Sequence, residues 1–246
     1  MKTLSRRAFL TCMGAASLTL VGCNNAQETG DTTTSSTSKS NAGGSSSSSD
    51  AVVFTMDPVI NYDPESQECI FVTKVLNTSD KCIEQVMVSP IAKDADGNLT
   101  GMKTTSSEAT YNNLQPNEEV YLVGDLCQCE TEPVSIKLNL KEFNPTKPNS
   151  ENEYRPKAGK PQVFYDDGTF PETRAVVELE NDSNTDYSFV EVYFAFKDSS
   201  GNVIGGAAGG EVNFDSGCDI QIESSTIHPR EVMDVADIEM SISLQS

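Results

Sequence analysis

Tryptophan is missing from this chain, and histidine occurs once. Aromatic residues make up 7 % of the sequence, which argues against a platform on which sugars or bases would stack. Any imidazole-dependent mechanism would have to use His228, and Pro229 beside it suggests a loop. Neither a G-x-S-x-G elbow nor an H-E-x-x-H metal motif occurs, so no partners can be named for a catalytic triad. Basic residues are scarce as well. Lys and Arg number 17 against 37 Asp and Glu, giving a net charge of −20 and an isoelectric point near 4.2. Phosphate backbones need a basic footprint, so nucleic acid is excluded as a partner. Helical periodicity is nearly absent, which disfavours a two-lobed α/β binding protein. No catalytic residue, cofactor or metal is expected.

The chain opens with an address. Lys2, Arg6 and Arg7 form a positive start, and Ala8 to Val21 form a short apolar run. That run is too short for a membrane span, which needs roughly 20 apolar residues. Residues 1–22 therefore read as a cleaved signal peptide. Residues 23–50 are rich in Ser, Thr, Gly and Asn and carry almost no apolar surface. Such a segment cannot offset its ordering entropy and reads as a disordered tether, spanning on the order of 30 Å as a flexible coil. Cleavage before Cys23 leaves 14 basic and 37 acidic side chains, net −23.

The remainder contains a repeat. F-V-T-K-V-L-N-T-S around Phe71 matches A-V-V-E-L-E-N-D-S around Ala175. Asn77 aligns with Asn181, Val86 with Val190, Lys93-Asp94 with Lys197-Asp198, and Gly97-Asn98 with Gly201-Asn202, all at an offset of 104. Pro58-x-Ile60-x-Tyr62-Asp63 matches Pro161-x-Val163-x-Tyr165-Asp166, and Asn113-Leu114 matches Asn213-Phe214. Self-similarity that includes turn residues marks a duplicated unit. Val190, Val192, Phe194 and Phe196 alternate with Glu191, Tyr193, Ala195 and Lys197, the period of a half-buried strand. Asp96-Gly97-Asn98 and Ser200-Gly201-Asn202 supply tight turns. The expected fold is all-β: two tandem immunoglobulin-like β-sandwich domains after the tether, at 51–144 and 161–246, joined by a Pro-, Lys- and Asn-rich linker at 145–160.

Three family resemblances bear on function. Leu20-Val21-Gly22-Cys23 resembles the bacterial lipobox, with Val21 where Ala or Ser is usual; the resemblance implies that Cys23 is acylated and becomes the mature N-terminus. Ser5-Arg6-Arg7-Ala8-Phe9-Leu10 resembles a twin-arginine export signal, with Thr11 where Lys often stands. Phe194-Ala195-Phe196-Lys197-Asp198, with Gly201 and the earlier Asn181-x-Ser183, resembles the FxLYD-type domains of bacterial surface proteins. That last resemblance implies a surface β-sandwich and supplies no catalytic residue. Together they imply a lipoprotein held by its acyl chains at the outer face of the cell membrane. Its partners would be the membrane, through that anchor, and other envelope proteins or a surface ligand. The expected role is non-enzymatic binding. An accessory ligand-binding or sensing subunit of a membrane transporter or enzyme complex is the alternative, and a thiol redox protein a more distant one.

Seven cysteines occur. Beyond Cys12 and Cys23, four fall in the first unit: Cys69, Cys82, Cys127 and Cys129. Export favours oxidation, so Cys127 and Cys129 are each expected to bridge to Cys69 or Cys82. Cys218 has no partner in its own unit and is expected to be a buried thiol or an intermolecular link. Asp94-Ala95-Asp96-Gly97-Asn98 looks like the start of a calcium loop, but Gly97 comes too early and no bidentate Glu follows, so it reads as a turn. Gly205-Gly206-Ala207-Ala208-Gly209-Gly210 reads as a flexible loop or a bulged edge strand. Asp166-Asp167-Gly168 reads as a solvated turn.

Overall fold

Alternating apolar and polar residues between Gly- and Asn-bearing turns should give antiparallel strands, and every regular element among the described residues is a strand. The computed structural model describes residues 51–101, 108–126, 128–146, 153–165, 174–224 and 235–246. The signal segment, Cys23, the tether, Cys127, Asp166-Asp167-Gly168 and His228 lie outside the described residues.

The first repeat contributes β1 (Val52–Asp63), β2 (Glu68–Asn77), β3 (Cys82–Lys93), β4 (Leu99–Thr100), β5 (Ala109–Leu114), β6 (Glu119–Leu126) and β7 (Ser135–Thr146). The second contributes β8 (Lys157–Ala158), β9 (Gln162–Phe164), β10 (Arg174–Glu180), β11 (Tyr187–Lys197), β12 (Val203–Phe214), β13 (Asp219–Glu223) and β14 (Asp237–Gln245). Each repeat splits into two antiparallel sheets. Sheet I has the order β1-β2-β6; sheet II centres on β3, with β7 on one edge and β4 and β5 on the other. In the second repeat β11 lies between β12 and β14 to form sheet III, and β10 lies between β13 and the short strands β8 and β9 to form sheet IV. The two halves share one topology, that of an immunoglobulin-like sandwich.

The matched sequence positions carry matched contacts. Asn77 and Asn181 are both fully buried. The Asn77 amide donates to the Lys81 and Leu114 carbonyls at 2.7 and 3.0 Å, and that of Asn181 to Thr185 and Phe214 at 3.0 Å each. Ser79 and Ser183 each return a backbone N–H and a hydroxyl to the Asn oxygen. Asn113 and Asn213 have φ of 58° and 60°, and Gly97 and Gly201 both have φ of 83°. A buried carboxamide that satisfies backbone carbonyls between strands pins the sandwich corner, because an unmet buried carbonyl would cost about 1–3 kcal/mol.

Residues 48–246 form one compact unit. Sheet I packs one face on sheet II and the other on sheet III, so the layers run II–I–III–IV. The core of the first sandwich accordingly includes Tyr193 and Ala195 from the second. The opposite face of β11, with Val190, Val192, Phe194 and Phe196, fills the second core. Both central sheets are thus covered on two sides, and Cys69 to Thr73 of β2 are buried without a break. A strand covered on both faces reads as a continuous apolar run rather than an alternation.

Sheet III meets both the β6 edge of sheet I and the β5 edge of sheet II, and that seam is polar. Tyr193 Oη accepts from Thr110 N at 3.1 Å, Ser243 Oγ from Asn112 N at 3.0 Å and Ser241 Oγ from Tyr121 N at 2.8 Å. These hydroxyls cap N–H groups of β5 and β6 that no neighbouring strand pairs, and so close edges that would otherwise be open to another chain. Arg155, at the entry to the second half, donates to both Glu118 carboxylate oxygens at 2.9 and 2.8 Å and to the Asn113 carbonyl at 3.0 Å.

Candidate functional site

The cysteines separate into places with different chemistry. Cys69 opens β2 opposite Leu126 of β6. Beyond Leu126 the chain reverses at Gln128, whose φ is 55°, and Cys129 returns over Cys69 with its N–H donating to Gln67 O at 2.8 Å. Both side chains are fully buried. Burial, with the Cys129 sulfur alongside, pushes the Cys69 thiol up to about 12. Cys82 starts β3 at the opposite end of the sandwich, beyond the full length of β2, where Gln115 Nε2 donates to its sulfur at 3.4 Å. Cys218 is exposed, which corrects the expectation of a buried thiol there and leaves the sulfur accessible for an intermolecular link.

Asp94 behaves as a turn residue. Its Oδ1 accepts from Asp96 N at 3.0 Å and Asn98 N at 2.8 Å, and these bonds hold its carboxyl below the usual range. Asp198 repeats the pattern with Ser200 and Asn202. Carboxylates spent on their own loop in this way are poor candidates for cation ligands. Among the described residues no cluster of His, Cys, Asp or Glu fit to hold a metal ion is found.

The glycine-rich segment is not a loop. It is the middle of β12, which among the described strands is an edge strand bonded to β11 alone, with a register shift next to Val203. A Cβ on Gly206 would fall 2.5 Å from Phe194 O and 2.7 Å from Val72 Cγ2, so the glycine allows sheets I and III to meet. Beside it lies a cavity of about 220 Å³, lined by Ile70, Val123, Asp125, Glu191 and Ala208 among others. Glu191 is largely desolvated there, and burial raises its carboxyl above the ordinary value despite a hydrogen bond from Tyr193.

The outermost layers differ from this interior. On sheet II, strand register sets Lys93 beside Ser135 and Leu99, Ile91 beside Lys137, and Met87 beside Lys141. Phe143, opposite Gln85, closes the same face. Leu99 is 73 % exposed, and Ile91 and Phe143 are also exposed. Lys74, Arg155, Lys157, Arg174 and Lys197 each form an ion pair. Lys93, Lys137 and Lys141 enter none among the described residues, and all three are exposed. On an acidic protein this face gathers ammonium groups and apolar side chains. The sequence hid it, because these lysines are scattered through β3 and β7 and meet only when the strands pair. The outer face of sheet IV carries a broad open groove of about 540 Å³, lined by Lys157, Glu178, Glu180 and Asp219 among others.

No family model and no curated protein matches this chain. Among solved structures, red sea bream transglutaminase is similar over 80 % of this chain and 31 % of its own, at 11 % identity and a TM-score of 0.24. This chain therefore spans less than a third of that protein's length.

Proposed function

We propose that this protein is an exported lipoprotein, anchored through Cys23 at the outer face of the cell membrane, whose folded part is a non-enzymatic binding module. The sheet II face is its docking surface. The observation that carries the reading is the set of exposed lysines that enter no ion pair among the described residues, interleaved with Leu99, Ile91 and Phe143. Ammonium groups with no ion-pair partner among the described residues of so acidic a chain can take acidic groups from outside, and exposed apolar side chains beside them supply area to bury. The partner this face suits is an acidic, partly apolar patch on another envelope protein. A tether of the expected length holds the module near such partners, so modest affinity suffices.

The test combines anchor and face. In cells making the full chain, a photo-crosslinking side chain at position 99 should yield adducts with envelope proteins. Charge reversal by Lys93→Glu, Lys137→Glu and Lys141→Glu together should remove them, while adducts from position 164 persist. Equal adducts with and without the lysines, or none at position 99, overturns the docking surface. Cys23→Ala should move the chain out of the membrane fraction; retention there overturns the anchor.

A further inference from the structure

We propose that Cys69 and Cys129 are the disulfide-forming pair of this fold, and that Cys82 takes no part in that bridge. Three constraints bring the two sulfurs together. The register of β2 with β6 places Cys69 opposite Leu126. The left-handed turn at Gln128 and the Cys129 N–H bond to Gln67 O fold the next residues back over the strand end. Tyr62, opposite Cys69 in the β1–β2 register, donates its hydroxyl to Cys129 O at 2.9 Å and fixes the returning segment from the other side. The two thiols end as neighbours in the same buried strand end, each without solvent exposure. Cys129 Sγ lies 3.7 Å from Leu126 O, so it sits against the residue that faces Cys69 across the ladder.

The chemistry balances with glutathione disulfide as oxidant. A thiolate at one cysteine attacks it and expels one glutathione. The second protein thiolate then displaces the other glutathione, forming the Cys69–Cys129 bond and two reduced glutathiones in all. The thiolate is the reactive form, and burial holds the Cys69 thiol in its protonated state. Exchange must therefore precede the burial of Cys69 and Cys129, and the finished bridge is then shielded from reductant. A bridge between residues 60 apart restricts the unfolded chain strongly.

The inference rests on sulfur geometry and stands apart from the export reading, so its test needs no cell compartment. The full chain is reduced, denatured, and refolded with a glutathione redox pair. It is then alkylated in denaturant without reductant and digested. The expected result is one cross-linked peptide joining Cys69 to Cys129, two hydrogens lighter than the reduced pair, with Cys82 and Cys218 alkylated. Reduction should lower the melting temperature by about 5–15 °C. The double variant Cys69→Ala with Cys129→Ala should show no such drop. Alkylation of both sulfurs, or a link from Cys69 to Cys82 or Cys127, overturns the assignment.

Discussion

At the scale of single residues, the hydroxyl of Tyr193 has more acceptors than protons. Its hydroxyl accepts from Thr110 N and faces two acceptors, Thr110 O and Glu191 Oε2, each at 2.6 Å. One hydroxyl proton cannot serve both. If Glu191 is protonated it donates to Tyr193, whose own proton is then free for Thr110 O. Burial pushes the Glu191 carboxyl in the same direction, above the value near 4.3 expected of the unfolded chain. The sign follows from linkage. A carboxyl whose folded value is raised stabilises the fold fully below the unfolded value, and that contribution is lost as pH climbs through the folded one. Glu191→Gln stays neutral throughout. The variant should therefore melt with the parent near pH 4 and a few degrees above it at pH 7, read as melting temperature against pH. A parent that matches or exceeds the variant at pH 7 would show that Glu191 is comfortably ionised. None of this was legible in the sequence, because Glu191 occupies the polar position of an alternating strand and what covers that face comes from 80 residues away.

Among elements, β12 shows what the sequence signalled and what it withheld. Its run of glycine and alanine was visible, and an edge strand was one of its two readings. The reason for the glycines was not visible. Gly206 sits where sheet III meets Val72 and Val123 of sheet I, and Gly209 lies under the Glu223 carbonyl. Small residues there set the spacing between two layers. Gly206→Ala would put a methyl 2.5 Å from a backbone oxygen and 2.7 Å from a valine methyl, and neither can yield without moving a strand. Overpacking of this kind costs about 1–3 kcal/mol. Gly206→Ala should lower the melting temperature by about 2–10 °C and reduce protection of the β11 and β12 amides in hydrogen exchange. An unchanged melting point would mean that the layers slide apart freely. The strands and turns themselves were well signalled. Period two, the D-G-N and S-G-N turns and the Asn77 and Asn181 pair are local or repeated features, and local features are what a single sequence can show. The lysine face and the cysteine pair depend on cross-strand register, which a sequence specifies only through the fold.

For the whole molecule, the question is whether two sandwiches in one chain behave as two proteins. Covering sheet I on both sides ties the stability of the first half to the second. Without sheet III, the apolar side chains of Ile70, Val72 and Val123 would meet water, and the N–H groups of Thr110, Asn112 and Tyr121 would lose their hydroxyl acceptors. In exchange those groups gain hydration, so the net loss is smaller than the lost hydrogen bonds alone imply, but apolar exposure at about 25 cal/mol per Å² remains. The second half would bare Tyr193 and Ala195 as well, an apolar loss offset in part because Glu191 would regain water. Residues 48–246 should therefore unfold in one cooperative step, with calorimetric and van't Hoff enthalpies in agreement. A chain ending after residue 146 should be far less stable than the intact body, or associate through its bared sheet I face, seen as a loss of the sharp transition or as a dimer in sedimentation. Two resolved transitions in the intact chain, together with a stable monomeric first half, would show that the seam is only a contact between independent domains.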